Sequence, residues 1–222
     1  MKKFNLRKKC ISLILSLVFV ISVFQINAFA APIQYIIDAP VASVTIYADP
    51  TGTFGTHAFI SIINHSASSK KVGYYNIAPN EEITLGTWGN KKEHKGIWYN
   101  LEEYFICTYG SYSNRTSITI DINSTQLAKI NSFVLANDTW SSTNNCASFA
   151  AKLWNSLGDV QVDPGTVPTP GGLASSINKI SWHQYNRPLP SCSKSKIYYT
   201  NGTGKTQVSS SSSSLSGSSS SN

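Results

Sequence analysis

The chain has 222 residues, 41% of them hydrophobic and only 13% charged, a composition that excludes a disordered protein and suits one buried core. Its formal net charge of +7 is misleading. Five of the 18 Lys and Arg fall within the first nine residues and none of the 11 acids precedes Asp38, so the chain beyond residue 30 carries only +2 and offers no basic surface for nucleic acid.

The opening segment places Lys2, Lys3, Arg7, Lys8 and Lys9 before an apolar run from Ile11 to Phe24, and ends in Ala28-Phe29-Ala30. A basic head, an apolar run shorter than a membrane span of about 20 residues, and a small-x-small site predict a signal peptide over 1–30, cleaved after Ala30. A retained N-terminal anchor is the alternative. One α+β domain is expected over 31–205. A Ser-rich tail over 206–222 has too little apolar surface to order itself and contains no stretch that would anchor it in a membrane. The expected product is secreted, either extracellular or loosely attached to the cell wall.

Within the domain, Val44 and Ile46 alternate with polar neighbours up to the turn residues Asp49-Pro50-Thr51-Gly52, which predicts a strand, a turn and a second strand over His57–Ile63. That second strand puts Ala58, Ile60 and Ile62 on one face and His57, Phe59, Ser61 and Ile63 on the other. The aromatic and β-branched segments 71–77, 83–88, 97–105, 107–112 and 117–122 read as further antiparallel strands. From Asn123 the period changes to 3.6: Asn123 and Gln126 form a capping pair, with Leu127, Ile130 and Val134 on one face. Cys146 opens the cleanest amphipathic helix, with Phe149, Ala150, Leu153, Trp154 and Leu157 in a stripe and Gly158 as its stop. A Pro/Gly-rich loop over 163–172, a short helix near 173–179 and a strand near 197–200 complete an α+β fold with a mainly antiparallel sheet.

Three cysteines remain beyond the predicted signal: Cys107, Cys146 and Cys192. An odd number leaves at least one thiol unpaired within the monomer, and a bridge, if present, is expected between Cys107 and Cys192. Cys146 follows Asn144 and Asn145, both good N-caps, so its sulfur should lie where free backbone N–H groups and the helix dipole favour a thiolate. A thiolate nucleophile needs a base. Of His57, His65, His94 and His183, only His57 starts an apolar strand and should be held rigidly, whereas His94 sits in the charged turn Lys91–Lys95. Cys146 as nucleophile and His57 as base are therefore the expected pair.

The segment Thr56-His57-Ala58-Phe59-Ile60 on an early strand, followed much later by Asn145-Cys146-Ala147-Ser148-Phe149-Ala150 at a helix start, resembles the circularly permuted NlpC/P60-like, papain-like superfamily. That group includes the lecithin retinol acyltransferase-like proteins and the PPPDE thiol hydrolases. The resemblance implies a small sheet packed on the Cys-bearing helix and acyl chemistry at an amide or ester through a thioester. It also implies a third polar residue on the strand after the His strand, for which Asn76 is the candidate, and a substrate such as a cell-wall peptide.

The aromatic segments Trp88-Gly89 and Gly96–Glu102 fit either the lining of a peptide or glycan cleft or ordinary sheet packing. Glu102 and Glu103, as neighbours on an expected strand, would point to opposite faces and do not form a glycosidase pair. The histidines show no metal-ligand spacing, and no cofactor is expected. The expected function is a secreted cysteine hydrolase cleaving an amide bond in a peptide, peptidoglycan or protein substrate, with acyl transfer as a variant. Its rival is a non-catalytic glycan- or protein-binding or adhesion module in which Cys146 is structural.

Overall fold

The computed structural model describes residues 39–51, 56–89, 95–158, 160–189, 194–200 and 205–207. The predicted signal peptide, nearly all of the Ser-rich tail, His94 and Cys192 lie outside these residues. The described chain is α+β, built on one antiparallel sheet.

At the centre of the sheet, β1 (Ala42–Asp49) pairs with β2 (His57–Asn64), so that Ala48 faces Ala58 and Asp49 faces His57. Beyond β2 lie β5 (Glu82–Thr87), β6 (Ile97–Tyr99), β9 (Tyr198–Thr200) and β10 (Lys205–Gln207). Beyond β1 lie β7 (Thr116–Ile122) and β8 (Gln184–Tyr185). The alternation legible in β1 and β2 sorts side chains to two buried faces. Val44, Ile46, Ala58, Ile60, Ile62, Ile83 and Leu85 form an aliphatic face, and Tyr47, Phe59 and Trp98 form an aromatic one.

Three helices cover the aliphatic face: α2 (Ser124–Ala136), α3 (Cys146–Asn155) and α4 (Pro170–Ile177). Each starts where its sequence can satisfy the first N–H groups. Asn123 and Gln126 form the predicted capping box, Asn145 accepts from Ala147 N–H and Ser148 N–H, and Thr169 accepts from Gly172 N–H ahead of Pro170. Phe149, Leu153 and Trp154 of α3 are buried against the sheet, each contributing about 1.5–3 kcal/mol.

The other face is covered by a helix that the strand pattern concealed. The segment 97–105, expected as one strand, is β6 followed by α1 (Leu101–Tyr109). Asn100 is the breaking point: its backbone is left-handed at φ 62, its Oδ1 accepts from Thr84 N–H and its Nδ2 donates to Lys196 O. Leu101 and Phe105, one turn apart, then bury against the aromatic face, and Gly110, left-handed at φ 63, ends the helix with its N–H on Ile106 O. This also removes the strand expected over 107–112.

Two smaller differences arise from turns. The segment 71–77 is a hairpin of its own, β3 (Lys70–Val72) and β4 (Tyr75–Ile77), because Gly73 takes φ 59. At the C-terminal end β10 carries the sheet two residues past the expected domain boundary at 205.

Candidate active site

Cys146 is the first residue of α3, and the double Asn before it fixes that start from both sides. Asn145 caps the helix through its Oδ1 and donates through Nδ2 to Pro168 O (2.7 Å). Asn144 Oδ1 accepts from Ser148 Oγ (3.3 Å) and Lys152 Nζ (3.0 Å). The sulfur therefore sits on a first turn that cannot easily fray.

His57 is the first residue of β2, which runs further than its ladder with β5. That ladder ends at Ile60 and Leu85, three residues short of His57. Ala58 N–H, at the freed end of β2, and Ala147 N–H lie near enough to the Cys146 sulfur to favour its thiolate. His57 lies close enough to the same sulfur for each group to bias the protonation of the other. The sequence-predicted nucleophile and base are thus brought together, both buried, 89 positions apart in a chain that brings a strand start to a helix start.

The third member is Glu102. Its Oε1 lies 3.0 Å from His57 Nε2, which leaves Nδ1 as the nitrogen for the sulfur. The carboxylate is itself fixed: Trp88 Nε1 donates to Oε1 (2.8 Å) and Thr84 Oγ1 donates to Oε2 (3.0 Å). Glu102 is fully buried, and helical geometry explains how Glu103 is buried beside it, where strand geometry would have separated them. Asn76, the sequence candidate for this role, is exposed on β4 opposite Lys71, in the separate two-stranded sheet.

Electrostatics favours an ion pair within this cluster. Burial by itself lowers the His57 pKa, but the Cys146 thiolate, and after it Glu102, outweigh burial and raise it from 6.5 to about 9. Burial likewise raises Cys146, yet the His57 charge, its hydrogen bond and the two backbone N–H groups bring the thiol below its ordinary value. Both shifts run in the direction of thiolate and imidazolium.

Aromatic rings frame the imidazole. Trp88 lies with its centroid 4.1 Å away, Tyr112 at 5.6 Å and Phe59 at 6.1 Å. A cation against these ring faces is attracted by their quadrupoles. Gly86 is the one position on β5 where a side chain would break the arrangement, since a Cβ there would meet Glu102 Oε1 at 2.7 Å and His57 Nε2 at 3.6 Å.

The other sequence candidates fall elsewhere. His65 is exposed just past the opposite end of β2, roughly 27 Å from His57 along the strand, with Nε2 2.6 Å from Ser43 Oγ. His183 is tied by Nδ1 to Ile180 O (2.7 Å) and packs edge-on against Tyr185. Trp98 and Tyr99, considered as cleft residues, are fully buried in the sheet. Cys107 lies on α1 with Sγ 4.0 Å from Leu189 O, and its expected partner Cys192 is outside the described residues. Among the described residues no group of three or more His, Cys, Asp or Glu is arranged to hold a metal ion.

Sequence reading offered Trp88 only as a cleft-lining candidate, weighed Glu102 only as half of a glycosidase pair, and missed Gly86. The available signal for Glu102 was Leu101 and Phe105 at helical spacing with a glycine at 110, which together mark a short helix carrying a buried carboxylate. Comparisons with protein-family models, with curated proteins and with solved structures found no match for this chain.

Proposed function

We propose that the protein is an exported cysteine hydrolase that cleaves an amide bond through a thioester, on a permuted papain-like arrangement of strand histidine and helix cysteine. The single observation that carries this reading is the buried chain Cys146–His57–Glu102, in which Glu102 is fixed by Trp88 and Thr84 and orients His57 beside the cysteine. A structural cysteine has no use for an imidazolium locked by a carboxylate. A catalytic one needs both.

In the proposed cycle the Cys146 thiolate attacks the substrate carbonyl carbon, the S–C bond forms and the π pair moves to oxygen. The Cys146 N–H, which the Asn145 cap leaves free, and the positive end of the α3 dipole favour that oxyanion. On collapse the C–N bond breaks and His57 gives its proton to the departing amine. Water then attacks the thioester, giving its proton to His57, and the S–C bond breaks to restore the thiolate. Glu102 keeps the imidazole oriented and supports its positive charge throughout. Peptide, peptidoglycan and protein amides are the candidate substrates, the cell-wall peptide resting on the family resemblance alone.

The test is the pH dependence of iodoacetamide alkylation, with the modified residue located by mass spectrometry, for wild type and His57→Ala. Cys146 should be labelled selectively well below the free-thiol pKa of about 8.5, and more slowly in the variant. A Cys146 that is disulfide-bonded or inert in the folded protein would remove the hydrolase and leave the binding module.

A further inference from the structure

Tyr112 lies in the loop between α1 and β7, with its backbone left-handed at φ 56, a conformation that strains an aromatic L-residue. Its side chain is 1% exposed and its ring packs on His57, 5.6 Å between centroids, and on Phe59 at 6.1 Å. The hydroxyl oxygen is buried and has no hydrogen-bond partner among the described residues.

An unpaired buried hydroxyl is costly, and a phenylalanine ring would fill the same space without that cost. Four other buried polar atoms also lack a partner: Thr87 Oγ1, Ser111 Oγ, Arg115 Nε and Thr116 Oγ1. Tyr112 differs from them in having its ring against the imidazole. Burial first, then the nearby Glu102, Cys146 and Asp49 charges, keep the phenol well above its ordinary pKa of 10, so it remains a donor at every working pH. Its neighbours are settled with other donors: Glu102 by His57, Trp88 and Thr84, and Asp49 by Thr51 N–H (2.8 Å) and Asn114 N–H (3.2 Å). The acceptor that suits this donor is one that arrives with the substrate.

We propose that the Tyr112 hydroxyl donates a hydrogen bond to the carbonyl oxygen of the acyl group attacked by Cys146, completing an oxyanion site with the Cys146 N–H, the one N–H of the first turn of α3 that Asn145 does not take. This rests on the hydrolase reading above. During attack the π pair moves onto the carbonyl oxygen while the phenol keeps its proton. Tyr112 thus stabilises charge and transfers none.

Two reagents separate this role from packing. Alkylation by iodoacetamide displaces iodide at a CH₂ carbon and forms no oxyanion, whereas acylation by p-nitrophenyl acetate passes through one. Tyr112→Phe should slow Cys146 acylation by p-nitrophenyl acetate on the order of 100-fold, leave iodoacetamide alkylation within about twofold of wild type, and keep or raise the melting temperature. Equal slowing of both reactions would reduce Tyr112 to a packing partner of His57, and no change in either would also overturn the proposal. If wild-type Cys146 reacts with neither reagent, the hydrolase reading itself fails, which the variant comparison alone would not show.

Discussion

The two faces of the sheet solve opposite problems with the same strands. On the aliphatic face Ile46, Ile60, Ile62, Ile83 and Leu85 meet Phe149, Leu153 and Trp154 and bury almost nothing polar. On the aromatic face Tyr47, Phe59, Trp98 and Phe105 surround His57, Glu102, Glu103, Ser61 and Glu82, and the polar groups are tied to one another. Glu82 there accepts from Ser61 Oγ (2.6 Å) and Arg187 (2.7 Å). The difference teaches that stability and chemistry are separated across one strand's thickness. Cys146 is the exception that joins them, since its helix belongs to the aliphatic face and its sulfur reaches round the free end of β2 to His57.

If that separation holds, the largest effects on activity and on stability should come from different faces. Cys146→Ala should abolish amide or ester turnover, by about 10⁴-fold or more, while the urea midpoint stays near wild type. Leu153→Ala, one residue deep in the aliphatic face, should cost about 2–5 kcal/mol in urea unfolding and leave the alkylation rate of the folded protein unchanged. Comparable losses of both properties from either substitution would break the comparison.

Gly86→Ala sharpens it from the strand side. Gly86 has no left-handed backbone to protect, so the added methyl acts only through its collision with Glu102 Oε1. Overpacking of this kind costs about 1–3 kcal/mol. Moving the carboxylate off His57 should slow Cys146 alkylation at neutral pH, measured by mass spectrometry against time.

The ion pair sets the pH behaviour of the aromatic face. Turnover requires deprotonated Cys146 and protonated His57, and alkylation only the thiolate, so the two share the acid edge of one window. It opens below the ordinary thiol value of 9.0 and, for turnover, closes as His57 loses its proton near 9. The raised His57 pKa contributes stability that is complete below about 6.5 and lost as pH rises through about 9. The lowered Cys146 pKa contributes stability present above 9.0 and lost as pH falls through the depressed value. Glu102→Gln keeps the shape of the side chain but removes a charge that raises His57, so the alkaline limb of the turnover profile should move to lower pH. An unmoved limb would mean that Glu102 does not sustain the imidazolium.

Much of the aliphatic face is legible in the sequence because its rule is periodic. Alternation places Ile60 and Ile62, the Leu127–Ile130–Val134 spacing places α2, and the Asn-Asn-Cys start places α3. His57 and Cys146 are legible for the same reason, as the ends of regular elements. The aromatic face follows no such period. Residues 97–109 are rich in Tyr, Phe, Ile and Trp, which favour strands, and the turn to helix depends on Asn100 bonding to Thr84 and Lys196, contacts 16 and 96 positions distant. Tertiary contacts override local propensity there, and Glu102 enters the site only through that override.

The smallest expected effect separates the carboxylate from the candidate that the sequence offered. Asn76 is exposed on β4 and its backbone pairs opposite Lys71, so no buried group depends on its side chain. Asn76→Ala should change stability by no more than about 0.5 kcal/mol and leave both limbs of the pH profile in place. Set beside Glu102→Gln, this is a paired measurement on two polar residues, one proposed from strand order and one found by geometry. A shifted profile from Asn76→Ala with none from Glu102→Gln would mean that the imidazole in the working enzyme turns away from α1 and toward the hairpin, and the proposed triad would have to be redrawn around that orientation.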